Sequence, residues 1–263
     1  MNRLKDKIIV ITGASSGIGE KLAIKVAEKG AHPILLARSE VKLKTISEKI
    51  KKETSVQPYY FKLDVSDRDA VERVFVEIIK DIGNIDVLIN NAGFGVFDAF
   101  HEANLDDLEK MFHVNVIGLM NCTKQVIPSM IERNMGHIVN IASQAGKLAT
   151  PKTSGYAATK HAVLGFTNSL RLELRKTNIH VSAVNPGPIE TNFFESADQS
   201  GTYVKNVKKY MLQADTVAEK IVYLMERPKR ELNIPYWMNI GSNLYNMFPR
   251  LADKLAGPFL NKK

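Results

Sequence analysis

The sequence predicts an α/β fold in which one doubly wound, parallel sheet of about seven strands carries helices on both faces. Three observations support this. Short apolar or β-branched runs alternate with longer amphipathic stretches over most of the chain. Several of those runs are apolar nearly throughout. No Pro/Gly-rich linker, internal repeat or low-complexity segment divides the 263 residues. Strands covered by helices on both sides need no polar face. Strand–helix alternation is the pattern of right-handed parallel crossovers.

The predicted strands are 7–12, 33–37, 59–63, 87–90, 137–141 and 180–185, with a seventh near 231–234. The helical stretches between them are 17–29, 40–52, 68–82, 105–133 and 156–176, followed by a shorter one at 217–225. We read residues 1–263 as a single domain. The segment 186–213 shows no convincing element and contains Phe193, Phe194, Tyr203, Tyr210 and Met211. Long loops in compact domains are commonly functional, so it is expected to act as an apolar substrate loop.

Composition narrows the function classes. With 44% hydrophobic and 24% charged residues, the chain has the make-up of a globular protein with a sizeable core. Its single cysteine, Cys122, forbids an intrachain disulfide and leaves a Cys/His metal cluster almost without ligands, so no metal site is expected. Arg3, Lys5 and Lys7 precede an apolar run, 8–11, that is too short for a signal peptide. No stretch approaches the ~20 apolar residues of a membrane-spanning helix. A cytoplasmic protein is expected. The formal net charge of +8 suits an anionic partner or cofactor. No zinc-finger spacing or RNA-recognition aromatic motif accompanies it, so nucleic acid is not expected as a partner.

The segment TGASSGIG, Thr12 to Gly19, falls between the first strand and the first helix. Gly13, Gly17 and Gly19 permit a tight turn and close approach of a cofactor. The helix that follows presents unpaired N–H groups and a positive dipole end to a pyrophosphate. Ser15, Ser16 and Ile18 complete this Rossmann-like turn. The spacing TGxxxGxG resembles the short-chain dehydrogenase/reductase family, and the resemblance extends over nearly the whole chain. After the second strand, where an NAD site carries a carboxylate for the ribose 2′-hydroxyl, the sequence has LLARSE, with Arg38 and Ser39. A guanidinium there pairs with a 2′-phosphate, so NADP(H) is the expected cofactor.

Further contacts are implied by the resemblance. Asp64 would meet the adenine amino group and Val65 would cover its ring. Asn91, Ala92 and Gly93, in the NNAG segment, would shape a turn against the cofactor. In NPGPIET, Pro186, Gly187, Ile189 and Thr191 would meet the carboxamide end.

YAATK places Tyr156 and Lys160 four residues apart, on one helix face. With Ser143 in NIASQAG and Asn115 in FHVNVIG, they match the family's Asn–Ser–Tyr–Lys tetrad in its chain order. Carbonyl reduction requires a hydride at carbon and a proton at oxygen. A phenol with a pKa near ~10 exchanges protons poorly at neutrality, and a nearby ammonium would lower that value. Ser143 would polarise the substrate oxygen. By resemblance, Lys160 would also hold the nicotinamide ribose, and Asn115 would order a water leading from Lys160 to solvent.

The expected function is NADP(H)-dependent interconversion of a carbonyl and an alcohol. Ser143, Gln144, Ala145 and Tyr156 are the expected substrate contacts. Phe94, Leu148 and the 186–213 loop add a mainly apolar wall, which favours an apolar ketone or aldehyde, or a hydroxy-lipid or steroid-like compound. The other readings are a non-catalytic NADP(H) sensor or scaffold, an epimerase or dehydratase on the same fold, and a docking protein.

The last reading comes from a departure at the C-terminus. Many family members end in a Gly-Gly turn at a subunit interface. Here Pro235, Tyr236 and Trp237 lead into an apolar stripe of Trp237, Ile240, Leu244, Phe248, Leu251 and Leu255. From Pro228 onward there are six basic and two acidic residues, an excess of +4. The basic amphipathic segment, about 235–263, is expected to pack on the domain or on a second subunit. An anionic membrane surface is the alternative. A homo-oligomer is expected, with the family's usual tetramer in question.

Overall fold

The computed structural model describes residues 3–148, 150–198, 201–250 and 254. Seven strands form the main sheet: β1 (Ile8–Thr12), β2 (His32–Ala37), β3 (Tyr59–Lys62), β4 (Val87–Asn90), β5 (Gly136–Ile141), β6 (Ile179–Pro186) and β9 (Glu231–Ile234). All pairs are parallel, in the order β3-β2-β1-β4-β5-β6-β9. The direction of winding reverses at β1, between β2 and β4. That reversal opens a crevice at the carboxyl ends of the strands.

Alternate side chains of each buried strand feed two helical layers. On one face, Ile9 and Ile11 of β1 pack with Leu22 and Val26 of α1 (Gly17–Glu28). Leu43 and Ile50 of α2 (Glu40–Glu53) and Ile221 of α9 (Ala214–Glu226) complete that layer. On the other, Val10 of β1 joins Phe75 of α3 (Arg68–Asp81), Val126 of α5 (Leu119–Glu132) and Leu170 of α6 (Ser154–Glu173). Cys122 is part of this second core, and burial pushes its thiol up to about 12. It behaves as a small apolar side chain.

Several expectations require correction. The stretch 105–133 is not one regular helix. It is α4 (Leu105–Phe112), a π-helical segment (His113–Gly118) and then α5. The segment 186–213 is not structureless. It holds β7 (Ile189–Glu190) paired with β8 (Leu212–Gln213), and between them α7 (Phe193–Ala197), α8 (Thr202–Val207) and a 3-10 turn, Lys208–Tyr210. Strand pairing at both ends therefore makes a small docked subassembly of what read as a loop.

The C-terminal stripe forms α10 (Tyr236–Met247), but it does not pack on the domain. Trp237, Ile240, Leu244 and Phe248 are exposed. The helix instead meets the domain through Met238, whose sulfur lies against Gly187, through Asn239, and through the fully buried Ser242. Leu251 and Leu255 lie outside the described residues.

A buried polar network ties the centre of the sheet to the helices beneath the site. The Asn90 Nδ2 atom donates to Thr123 Oγ1 on α5 and to Asn140 Oδ1 on β5, both at 2.9 Å. Asn140 Nδ2 donates in turn to Thr167 Oγ1 on α6 at 2.9 Å. Buried amides kept in this way fix the relative positions of the elements they join, and losing one member strands its partners. Asn140→Ala is expected to destabilise the fold by about 3 kcal/mol, the cost of one cavity and of two buried hydrogen bonds whose partners, Asn90 and Thr167, each keep one other bond, read as a lower urea midpoint with unchanged slope.

Candidate functional site

The crevice is a cleft of about 590 Å³ at the carboxyl ends of the strands, within the range of small-molecule sites. Of the catalytic, cofactor and substrate residues expected from the sequence, all but Gly19 and Asn115 line it, and of the aromatic and Met residues of the 186–213 loop, Phe193, Phe194 and Tyr203 do while Tyr210 and Met211 do not. Gly19 is buried in the first turn of α1, and Asn115 stands behind the cleft wall.

The glycine turn is held from below. Thr12 Oγ1 accepts from the backbone N–H groups of Asn91 and Ala92 at 2.9 and 3.0 Å. Asn91 Nδ2 donates back to the carbonyls of Thr12 and Gly13 at 2.9 and 3.1 Å. The ends of β1 and β4 are thus laced together. Gly13 has φ +64°, and a Cβ on it would stand 2.9 Å from Ala92 Cα, so no larger residue fits there. Ser16 caps α1 in an extended conformation without a side-chain cap bond. Among the described residues no side chain bonds the first-turn N–H groups, and Ser16, Gly17 and Ile18 line the cleft, an arrangement suited to an anion.

At the end of β2, Arg38 is exposed, and no ion pair to it occurs among the described residues. Lys42 joins it on the cleft wall. Lys42 escaped the sequence reading; it lies in the first turn of α2, which starts just after Arg38. Asp64 Oδ1 accepts from Ser66 N and Oγ at 3.0 and 2.6 Å, which fixes the carboxylate at the cleft edge.

Ser143, Tyr156 and Lys160 converge at the other end. Ser143 follows β5, and its Oγ accepts from Ala145 N at 3.0 Å. Tyr156 and Lys160 lie one turn apart on α6, both buried, with Lys160 Nζ 5.7 Å from the centre of the tyrosine ring. Lys160 Nζ donates to the Ile141 carbonyl at 2.9 Å. Asn115 sits in the π-helical segment. Its Oδ1 accepts from Phe94 N at 3.0 Å, and its Nδ2 donates to Phe94 O at 2.9 Å and to Thr159 Oγ1 at 3.2 Å. Its side chain pins the turn after Gly93 to α6. Gln144 lines the wall with Nε2 committed to the Asn185 carbonyl at 2.9 Å.

The electrostatics reverse one expectation. In this chain the Tyr156 phenol is pushed above its ordinary value, not below it. Burial is the main cause, and a hydrogen bond with Ser143 pulls the other way. Burial also lowers the Lys160 amine to about 8. The desolvation that disfavours phenolate disfavours ammonium as well. Tyr156 is accordingly a protonated phenol at neutral pH.

An aromatic wall closes the site over Tyr156. The Phe97 ring lies 5.6 Å from Tyr156, 6.2 Å from both Phe193 and Phe194, and 5.1 Å from Tyr203, all centroid to centroid. Phe97 was missed in the sequence. It lies in the segment between β4 and α4, and only the recurrence of Phe94, Phe97 and Phe100 at every third position hinted at it.

A family model described as short chain dehydrogenase matches residues 7–201. An NADP-dependent 3-hydroxy acid dehydrogenase of Schizosaccharomyces pombe is 36% identical over 234 residues, covering 86% of this chain and 90% of its own length. An uncharacterized oxidoreductase of Staphylococcus epidermidis is 30% identical over 228 residues, covering 87% and 94%. Among solved structures, an alcohol dehydrogenase from the archaeon Thermococcus sibiricus, complexed with 5-hydroxy-NADP, is similar at a TM-score of 0.79 and 29% identity, covering 87% and 95%. A short chain dehydrogenase/reductase from Burkholderia phymatum in complex with NAD is similar at a TM-score of 0.87 and 25% identity, covering 95% and 96%.

The buried amine has a measurable consequence. A folded-state value of about 8 against 10.5 corresponds to a penalty of roughly 3 kcal/mol on the charged form. The penalty is full below pH 8 and fades as pH rises towards 10.5, where the unfolded chain also loses its proton. Lys160→Met keeps the stem, removes the charge and forfeits a hydrogen bond to Ile141 worth about 1 kcal/mol. The variant is expected to be more stable than the parent by roughly 2 kcal/mol at neutral pH. Chemical denaturation compared at neutral and alkaline pH should show that advantage vanish at the higher value.

Proposed function

The chain belongs to the short chain dehydrogenase family, and we propose that it uses NADP(H) to interconvert an apolar carbonyl compound and its alcohol, with Tyr156 as the proton donor and acceptor. The observation that carries this reading is the convergence of Ser143, Tyr156 and Lys160 on one cleft whose far end is the uncapped N-terminus of α1.

The residues fit a phosphorylated dinucleotide. The α1 N-terminus and the Gly13 turn receive a pyrophosphate. Arg38 and Lys42 supply two cations for a 2′-phosphate, where an NAD site carries a carboxylate. Asp64 and Val65 stand where an adenine edge and face would meet the wall. Gly93 and the segment from Pro186 to Thr191 border the opposite end. The names of similar proteins support the same cofactor, since the S. pombe relative is NADP-dependent and the T. sibiricus structure holds an NADP derivative. When bound, the dinucleotide supplies or accepts the hydride.

The protein's own residues handle the proton. Ser143 Oγ, held by Ala145 N, presents its hydroxyl to a substrate oxygen beside Tyr156. Tyr156 enters the reduction as a neutral phenol, because burial keeps its proton on, and gives that proton to the developing alkoxide. Lys160, fixed by the Ile141 carbonyl, lies near enough to stabilise the phenolate that remains. Asn115 positions Phe94 and the turn beside Lys160, and acts through them. The rings of Phe97, Phe193, Phe194 and Tyr203 exclude water from the reacting oxygen and favour apolar, flat or long-chain substrates over sugars.

NADPH oxidation measured over a panel of apolar ketones and aldehydes tests this reading. Tyr156→Phe is expected to lower kcat by about a thousandfold while leaving NADPH affinity within a few-fold, and a variant that keeps its turnover removes Tyr156 from the chemistry. For the cofactor, Arg38→Ala is expected to cost about tenfold or more in kcat/KM for NADPH and little for NADH, the loss of one charge-assisted contact. An unchanged ratio between the two cofactors would exclude Arg38 as the selecting residue.

A further inference from the structure

Helix α10 lies on the protein the wrong way round for a helix packed on a core. Tyr236, Trp237, Ile240, Leu244, Met247 and Phe248 are between 49% and 71% exposed, while Ser242 on the opposite side is fully buried. Positions 237, 240, 244, 247 and 248 fall on a single stripe about one quadrant wide. The inward side is fastened by polar contacts. Asn239 Oδ1 accepts from Lys147 Nζ at 3.0 Å, and Lys147 also pairs with Glu231 on β9. The orientation is therefore set by specific bonds, and the apolar stripe is directed outward by them. A second element extends the patch. Tyr210 is 58% exposed, and its ring lies 6.1 Å from that of Trp237. Contiguous exposed apolar surface of this kind marks a site of association.

The charges around the patch identify what it associates with. Lys205, Lys208 and Lys209, all exposed, lie in the segment that ends at Tyr210. Arg250 follows α10. Neither 202–210 nor 236–250 contains a carboxylate. Two-fold pairing of this face with a second copy would set lysines against lysines with no acid in either patch to meet them. An anionic lipid surface satisfies both parts of the pattern. Trp and Tyr rings with an aliphatic stripe enter the headgroup layer, and a cationic rim stays at the charged surface. We propose that the outward face of α10, together with Tyr210 and the Lys205–Lys209 rim, docks the protein on anionic membranes. No helix among the described residues is long and apolar enough to cross one, so the association is peripheral.

Trp237 is the only tryptophan in the chain, so its fluorescence reports directly on this face. The full chain is mixed with vesicles of one part phosphatidylglycerol to two parts phosphatidylcholine, and with phosphatidylcholine vesicles, at low and high salt. The expected result is co-sedimentation with the anionic vesicles that weakens with salt, accompanied by a blue shift of the emission and its quenching by brominated lipid chains. Ile240→Asp/Leu244→Asp should lower partitioning about tenfold or more, and Lys208→Glu/Lys209→Glu should do so on anionic vesicles alone. NADPH binding by the variants, followed through nucleotide fluorescence, shows that they remain folded. The proposal is overturned if the parent chain stays in the supernatant, if it binds without a change in Trp237 emission, or if the Asp variants bind as well as the parent. It is equally overturned if those variants convert a dimer to a monomer and the parent ignores lipid, which would assign the face to a second copy.

Discussion

Lys160 is a buried amine at the end of the central sheet, its Nζ 2.9 Å from the carbonyl that closes β5. The architecture of the site follows from accommodating that group. Because α6 must bring it against Ile141, the turn of helix one step earlier carries Tyr156 over the cleft rather than towards solvent. Beside it, residue 93 is glycine where Asn115 approaches closely: a Cβ there would lie 3.0 Å from Asn115 Oδ1, tighter than an ordinary contact. Asn115 then fastens the following residue, Phe94, to α6 through the π-helical segment. The Asn90–Asn140–Thr167 chain beneath keeps β4, β5 and α6 in register, so that the three arms of the site do not drift apart.

The cost of that burial accounts for the behaviour of the phenol. At the level of sequence, a lysine one turn from a tyrosine argues for an easily ionised side chain. The folded chain shows the opposite balance, because removal from water is the main influence on both groups and penalises phenolate and ammonium together. A charge added to the cleft from outside changes that balance, whereas spacing along a helix does not. In the reductive direction a phenol that holds its proton is the useful state, and the amine beside it matters chiefly after the proton has left.

Much of the fold was legible because doubly wound sheets write themselves into a sequence. The strands 87–90 and 231–234 were found at their observed limits, the first as a fully buried apolar run and the second, a half-buried edge strand, from its place after the last helix of the alternation. The glycine turn was picked out by its place between the first strand and the first helix, whereas Ser143, Tyr156 and Lys160 were picked out by their resemblance to the family's tetrad, since their spacing alone is common on helix surfaces. Other features needed the third dimension. The π-helical widening at His113–Gly118 has the same apolar spacing as an ordinary helix. The β7–β8 pair is two residues long in each strand and depends on partners more than twenty positions apart. Lys42 and Phe97 became site residues only when the ends of β2 and β4 were placed along one cleft.

The C-terminal helix shows most clearly why a hydrophobic stripe alone underdetermines structure. Periodicity located α10 and its apolar face, yet it could not say which way that face points. The choice was made by polar side chains that such a pattern ignores. Lys147 lies in the segment that carries Ser143, and it reaches both Glu231 and Asn239. One cation thereby ties the serine segment, the edge strand and the inward side of α10 into a unit. Met238, on that inward side, and Tyr203 and Val207 of α8 also line the cleft. Helix α10, whose outward side carries the exposed stripe, therefore contributes through Met238 to the rim of the cleft over Tyr156. An apolar carbonyl compound leaving a lipid layer at that rim would pass from one low-dielectric environment to another without full exposure to water. That passage gives a physical reason for a helix to be held with its polar side in and its apolar side out.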